Sequence, residues 1–91
     1  MGKTIAQIPE DDRPREKLLR KGACALSDQE LLAVLLGKGT ASMDVMTLAA
    51  KLVRLMDEKG LHVTANDLTQ FDGVGDAKAT LVLAAIEFAR R

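Results

Sequence analysis

The sequence predicts an all-α domain built from five short helices. No stretch alternates between apolar and polar residues as a half-buried strand does. Capping patterns and glycines instead divide the chain into segments of helical length, with apolar residues at helical spacing. The composition is 47% hydrophobic but only 2% aromatic, so the core of this 91-residue chain must be aliphatic. We expect residues 1–9 to be extended or disordered and residues 10–91 to form a single helical domain.

The first predicted helix runs from about Pro14 to Arg20. Proline suits the first turn of a helix, because the N–H that it lacks would have no intrahelical partner there. Gly22 follows as a stop signal. We expect Leu18 and Leu19 to anchor this helix on the core.

The second predicted helix begins with a capping box at Ser27. The Ser27 hydroxyl can accept the backbone N–H of Glu30, and the Glu30 side chain can bond back. The apolar run of residues 31–36 has no polar side, which indicates a helix buried in the centre of the domain. Gly37 and Gly39 end it.

Residues 42–58 form the clearest amphipathic helix, and Gly60 closes it. Its polar face comprises Asp44, Thr47, Lys51, Arg54 and Glu58. Its apolar face comprises Val45, Leu48, Ala49, Leu52 and Met56.

The last third of the chain contains two further helices joined by a glycine turn. Thr64 and Asp67 form a second capping signal, which opens a short helix that ends at about Gln70. The last helix spans about 76–90, and its thin outer stripe consists of Thr80, Ala84, Glu87 and Arg91.

The glycine turn between these helices is the most informative part of the sequence. Gly73 and Gly75 flank Val74 and predict a tight hairpin, because glycine allows positive φ angles and close backbone approach. A helix follows at once, so we expect its first backbone N–H groups to point into the hairpin. Such groups bind an anion, and they can hold a nucleic-acid phosphate without recognising any base.

The hairpin pattern occurs twice in the sequence. When the two copies are aligned, Gly37 of the first corresponds to Gly73 of the second. Leu32, Leu35, Gly37 and Gly39 align with Leu68, Phe71, Gly73 and Gly75. Lys38 occupies the slot of Val74, so we expect Val74 to be buried between its helices and Lys38 to point to solvent. The pattern favours two pseudo-symmetric hairpins. The alternative is that the glycines simply end two helices.

Charge and composition limit the classes of function. The formal net charge is zero, which excludes the strong positive field of a dedicated nucleic-acid binder. Residues 1–24 nevertheless carry six basic and four acidic residues, a balance of +2. Cys24 and His62 are the only residues of their kinds, so neither a disulfide framework nor a Cys/His metal cluster is expected. No nucleophile–base pair is recognisable either. We expect no catalysis, no metal and no cofactor, and a cytoplasmic protein without a membrane-spanning segment.

Several segments resemble the RadC family. Residues 9–19, PEDDRPREKLL, resemble its "RPREKLL" opening, and residues 25–40 resemble its "LSD-ELLA-LL--GT" segment. Residues 73–79 and 87–91 are similar to its hairpin and to the end of its helical region. The resemblance covers nearly the whole chain, in order and with fitting spacing.

This resemblance implies a helix-hairpin-helix domain of the SAM-like, RuvA-C-like type, with one good and one degenerate hairpin. The resemblance also implies that, in full-length members, a JAB-type domain of metallopeptidase character follows this domain. Residues 1–91 contain no part of that second domain. The family label is DNA repair. Two acids depart from the pattern of similar hairpins, Asp72 and Asp76. We expect the Asp76 carboxylate to compete with a phosphate for the N–H groups at the helix start.

The leading hypothesis is a non-sequence-specific DNA-binding module that contacts backbone phosphate. The candidate contacts are Gly73, Val74, Gly75 and Lys78 at the good hairpin and Lys38 and Gly39 at the degenerate one. Arg13, Arg15, Lys17, Arg20 and Lys21 would extend the basic face. The alternative is a protein-interaction or regulatory domain without DNA binding. It would dock on a JAB-type domain, a twin chain or another partner, as the near-neutral charge and the apolar last helix suggest.

Overall fold

Five α-helices and four short 3-10 turns account for the regular structure of the residues that the structure describes. A computed structural model describes residues 4–40 and 43–91. The helices are α1 (Pro14–Lys21), α2 (Asp28–Leu36), α3 (Val45–Lys59), α4 (Ala65–Thr69) and α5 (Asp76–Arg90). The described residues contain no strand, only an isolated bridge between Thr40 and Met43. The predicted all-α fold is confirmed. None of the helices described is long and apolar enough to cross a bilayer.

Side-chain caps fix where α2, α3 and α4 begin. Ser27 Oγ accepts the Glu30 N–H at 3.2 Å, and the Ser27 N–H donates to Glu30 Oε1 at 2.9 Å, as predicted. Thr64 and Asp67 form the same reciprocal pair at 3.2 and 2.9 Å. Asp44 caps α3, which therefore starts at Val45 rather than at residue 42. The sequence places Asp44 inside the helix because its spacing also fits the polar face.

The core lies between α2, α3, α4 and α5. Leu48 and Leu52 of α3, Leu68 of α4 and Val82 of α5 are fully buried. Every apolar residue of the run 31–36 is at least half-buried, which agrees with the predicted central position of α2. The α2–α3 contact is the most extensive between any two helices.

The N-terminal region departs from the prediction. Ile5–Gln7 form a 3-10 turn within the segment expected to be extended or disordered, whereas residues 1–3 lie outside the described residues. The Ile5 N–H donates to both carboxylate oxygens of Asp44, at 3.3 and 3.2 Å. Ile5 and Ile8 pack on the edge of the core. The Asp44 carboxylate and the packing of Ile5 and Ile8 thus hold this segment in place, although its own sequence contains no strong signal for regular structure.

Leu19 is not the anchor that the sequence predicts. Its side chain is 80% exposed. Pro14 is buried, and Lys17 and Leu18 are half-buried, so one stripe of α1 faces the domain. Leu19 lies about 100° further round the helix and points away from that stripe.

Candidate functional site

The second glycine turn, residues 73–75, connects α4 to α5. Gly73 has φ 84° and Gly75 has φ −90°, so only Gly73 occupies the left-handed region that favours glycine. Val74 is 4% exposed, as predicted, and its N–H donates to the Phe71 carbonyl at 3.0 Å. The turn is therefore fixed by a buried apolar side chain and by local backbone bonds.

Helix α5 starts directly after this turn, with Gly75 as its N-cap residue. Unlike α2, α3 and α4, it begins without a side-chain cap hydrogen bond. Asp76 is the first helical residue, and its carboxylate does not cap the helix, contrary to the expectation from sequence. The first turn of α5 keeps the partial positive charge of a helix N-terminus.

The first glycine turn, residues 37–39, is separated from the next helix. Gly37 has φ 75°, and the Lys38 side chain is exposed, as predicted. Residues 40–44 lie between Gly39 and α3, and Asp44 accepts the Met46 N–H at 2.9 Å. The sequence predicts a helix directly after the second turn and one from about residue 42 after the first turn, whereas α3 starts at Val45. Gly39 nevertheless lies against the start of α3, because a Cβ atom built on it would be 2.6 Å from the Val45 backbone nitrogen.

Equivalent positions of the two turns still match in conformation and burial. Gly37 and Gly73 both have positive φ angles, and Leu32 and Leu68 are both buried. The exposed Lys38 is the exception, since its counterpart is the buried Val74. Gly22 and Gly60 also have positive φ angles at helix ends, so this conformation fits both the predicted repeat and the alternative that glycines end two helices.

The two turns also contact each other. A Cβ atom built on Gly73 would lie 2.4 Å from Thr40 Cγ2, so the Gly73 backbone lies directly against the Thr40 side chain. Lys78 Nζ, on the first turn of α5, donates to the Leu36 carbonyl at the end of α2, at 3.4 Å. Lys78 is half-buried rather than an ordinary solvated lysine. The start of α5 is thereby attached to the end of α2.

A cleft of about 520 Å³ lies between the start of α1 and the first glycine turn. Arg13, Arg15, Lys38 and Gly39 line it, and we call it the basic cleft. Four predicted site residues from two separate segments are thus brought together. The sequence contains no local signal that would predict this proximity.

Cations outnumber carboxylates in the basic cleft. Arg13 Nε donates to the Ile8 carbonyl at 3.2 Å, so this guanidinium is partly engaged. Neither Arg15 nor Lys38 forms an ion pair with any residue in the ranges 4–40 and 43–91. Glu16 and Asp44 also line the cleft. The Asp44 carboxylate is occupied by backbone N–H groups, which reduces its competition for the cations.

Part of the wider basic face is neutralised. Lys17 Nζ lies 3.1 Å from Glu30 Oε2, and Arg20 lies 2.8 Å from Asp11 Oδ1. Burial alone raises the pKa of Glu30, but the Ser27 N–H and the Lys17 ammonium outweigh it and lower the pKa. Lys17 thus attaches α1 to α2, and it is not a free contact for a ligand.

Sequence reasoning missed two residues at this site. Thr40 lines the cleft and packs against Gly73, a contact that no pattern in the sequence signals. Asp44 joins the N-terminal turn to α3. Its position before an apolar run is typical of a cap and could have identified part of this role.

The chain is similar to known proteins along nearly its whole length. The family model described as "UPF0758 N-terminal" matches residues 5–80. A UPF0758 protein of Geotalea uraniireducens is 47% identical over 91 residues, which cover 96% of this chain and 40% of the relative. One from Carboxydothermus hydrogenoformans is 48% identical over 93 residues, covering 100% of this chain and 41% of the relative. The chain thus spans about two-fifths of the length of these relatives. No solved structure matches the chain.

Proposed function

The chain belongs to the UPF0758 family, the RadC-like family that its sequence resembles, and we propose that it binds DNA through the phosphate backbone without sequence preference. The observation that carries the proposal is the basic cleft. There, Arg13 and Arg15 at the start of α1 lie beside Lys38 and Gly39 of the first glycine turn.

The chemistry of these groups suits phosphate. A guanidinium presents paired N–H donors that match two phosphate oxygens, and a lysine ammonium adds a compact positive charge. The chain has no Trp or Tyr and only two Phe residues, so stacking on bases contributes little. The proposal is therefore backbone contact, which positions a protein on DNA but conveys no sequence information.

The second glycine turn provides a further contact in this proposal. The uncapped start of α5 at Gly75 offers backbone N–H groups to a phosphate, and Val74 holds the turn in place. Lys78 keeps donors available, because an ammonium has three and the Leu36 carbonyl uses one. With zero net charge and few phosphate contacts, we expect weak binding that decreases with salt, with a slope set by the small number of phosphates contacted.

The test is a titration of fluorescently labelled short duplex and branched DNA at low and at physiological salt. Lys38→Glu and Arg15→Glu reverse exposed charges in the cleft. Lys51→Glu makes the same charge change at an exposed position of α3 outside the cleft. We expect the cleft variants to lower affinity several-fold and to reduce the salt slope by about 1, whereas the control changes little.

Two results would contradict the proposal. The first is no salt-sensitive binding even at low salt, and the second is an equal loss of affinity in Lys51→Glu and Lys38→Glu. Lys78→Glu is a poor first variant, because it also removes the bond to the Leu36 carbonyl and perturbs the fold.

A protein-interaction domain is the second candidate function, and the surface of α5 favours it. Leu81 is 44% exposed and Phe88 is 83% exposed on this helix. Exposed apolar side chains grouped on one surface are typical of interaction sites. The test is NMR titration with the separately produced remainder of the Geotalea uraniireducens relative. Shift changes along α5 would support docking there, and an unchanged spectrum would count against it.

A further inference from the structure

Helix α5 has apolar residues on two opposite faces. Ala79 and Val82 are buried against the core, with Leu83 and Ile86 partly buried beside them. The opposite side carries four exposed apolar residues, which we call the outer face: Ala77, Leu81, Ala84 and Phe88. Successive helix residues are about 100° apart, so these four positions fall within one narrow stripe. None of the residues that the structure describes covers this stripe.

We propose that the outer face of α5 binds the same face of a second copy of this chain, with the two helices antiparallel. The proposed pairing specifies one partner for the second candidate function, the protein-interaction domain. The pairing does not depend on DNA binding. In such a pair the two-fold axis passes midway between Val82 and Leu83. Phe88 of each copy then faces Ala77 of the other, and each Leu81 faces an Ala84. Every large side chain meets a small one, as close helix packing requires.

The charges at the ends of α5 favour the same arrangement. Asp72 and Asp76 lie at its start, whereas Arg90 and Arg91 lie at its end. Antiparallel pairing brings each acidic end to the basic end of the other copy, and it aligns the two helix dipoles favourably. A parallel pair would place like charges together. Arg91 bonds Glu87 in its own helix, but its side chain remains 79% exposed and lies on the same side of α5 as the outer face, so it stays accessible.

The size of the outer face sets the expected strength. One stripe of four residues buries less surface than a standard stable interface of about 1,600 Å². We therefore expect a reversible dimer that forms at high micromolar concentration. Such a symmetric contact uses the same patch on both copies and closes without forming a filament.

The experiment is analytical ultracentrifugation of the 91-residue chain over a concentration series that reaches about 1 mM. We expect concentration-dependent dimerisation that Leu81→Glu and Ala84→Glu weaken by about tenfold or more. Leu19→Glu is the matched control, because Leu19 is a leucine that is 80% exposed on α1, away from the outer face. Circular dichroism verifies that each variant remains folded.

A charge-swap pair tests the orientation. Asp76→Arg and Arg91→Glu should each weaken the dimer, and the double variant should regain most of the lost affinity. A monomer throughout the series, or equal weakening by Leu19→Glu and Leu81→Glu, would overturn the proposal. A third result would separate the two ideas: the chain stays monomeric, but the NMR signals of α5 shift when the remainder of a longer relative is added. In that case the protein-interaction function is retained, and the proposal of a second copy as the partner is wrong.

Discussion

Gly73 packs directly against Thr40, so that each glycine turn forms part of the environment of the other. A Cβ on Gly73 would lie 2.4 Å from Thr40 Cγ2 and 2.6 Å from Thr40 Cβ, distances too short for any side chain. Gly73 also has φ 84°. Two independent constraints therefore require glycine here, one from the backbone conformation and one from the neighbouring turn.

We predict that Gly73→Ala destabilises the domain by about 3 kcal/mol, the sum of left-handed strain and a steric clash. Gly60→Ala is the matched control, because Gly60 has φ 62° but nothing within 4 Å of its Cβ position. The control should therefore lose only the strain component, about 1–2 kcal/mol. Urea denaturation of both variants measures the difference. Equal losses would show that the contact with Thr40 relaxes at no cost.

The asymmetry between the two turns yields a second prediction. Val74 is 4% exposed, so Val74→Lys would bury an ammonium and should cost about 3 kcal/mol or more. Lys38 occupies the equivalent exposed position, so Lys38→Val should change stability by under about 0.5 kcal/mol. Thermal unfolding monitored by circular dichroism compares the two. Similar losses would contradict the difference in burial between the two equivalent positions.

The helices could be predicted from sequence because their signals are local. A capping box at Ser27 or Thr64 spans four residues, and a glycine stop such as Gly22 requires no distant partner. The burial of Val74 and the exposure of Lys38 also follow from side-chain chemistry. The prediction for Leu19 is wrong because two adjacent leucines do not indicate which of them faces the core.

The candidate site could be predicted only as a set of residues, because long-range contacts assemble it. The Ile5–Asp44 bond joins residues 39 positions apart, and the Lys78–Leu36 bond joins residues 42 positions apart. Periodicity within one helix contains no information on such pairs. The proximity of Arg15 to Lys38 across the basic cleft is a product of this packing.

Asp44 provides a third prediction, since it both caps α3 and holds the N-terminal turn. We expect Asp44→Ala to cost about 1–2 kcal/mol and to accelerate hydrogen exchange at the Ile5 amide, whose acceptor is lost. Asp57→Ala is the control. Asp57 is an exposed acid in the last turn of α3, where a carboxylate is unfavourable, so its loss should be neutral or slightly stabilising. Unchanged exchange at Ile5 in Asp44→Ala would contradict the anchoring role.

The Glu30 carboxylate accepts the Ser27 N–H and pairs with Lys17, so both the cap of α2 and the attachment of α1 to α2 are sensitive to pH. The Glu30 pKa lies below its usual value of 4.5, so protons bind more readily to the unfolded chain than to the folded one. The stabilisation is thus fully present above pH 4.5 and is lost as the pH falls through the lower, folded-state pKa. The pKa of Asp67 is also lowered, chiefly because its carboxylate accepts the Thr64 N–H, and it adds to the same acid sensitivity.

We predict that Glu30→Gln removes part of this acid sensitivity. The amide oxygen still accepts the Ser27 N–H, so the cap is retained, while the ionic contact with Lys17 is lost. Because the pair is partly exposed, we expect a loss of under about 1 kcal/mol at pH 7. The difference from wild type should shrink as the pH falls below 4.5 and through the lowered, folded-state pKa of Glu30. Glu58→Gln, an exposed site on α3, should follow the wild-type profile. Urea denaturation at a series of pH values measures all three proteins. A constant offset between Glu30→Gln and wild type across the series would show that Glu30 does not contribute to the acid sensitivity.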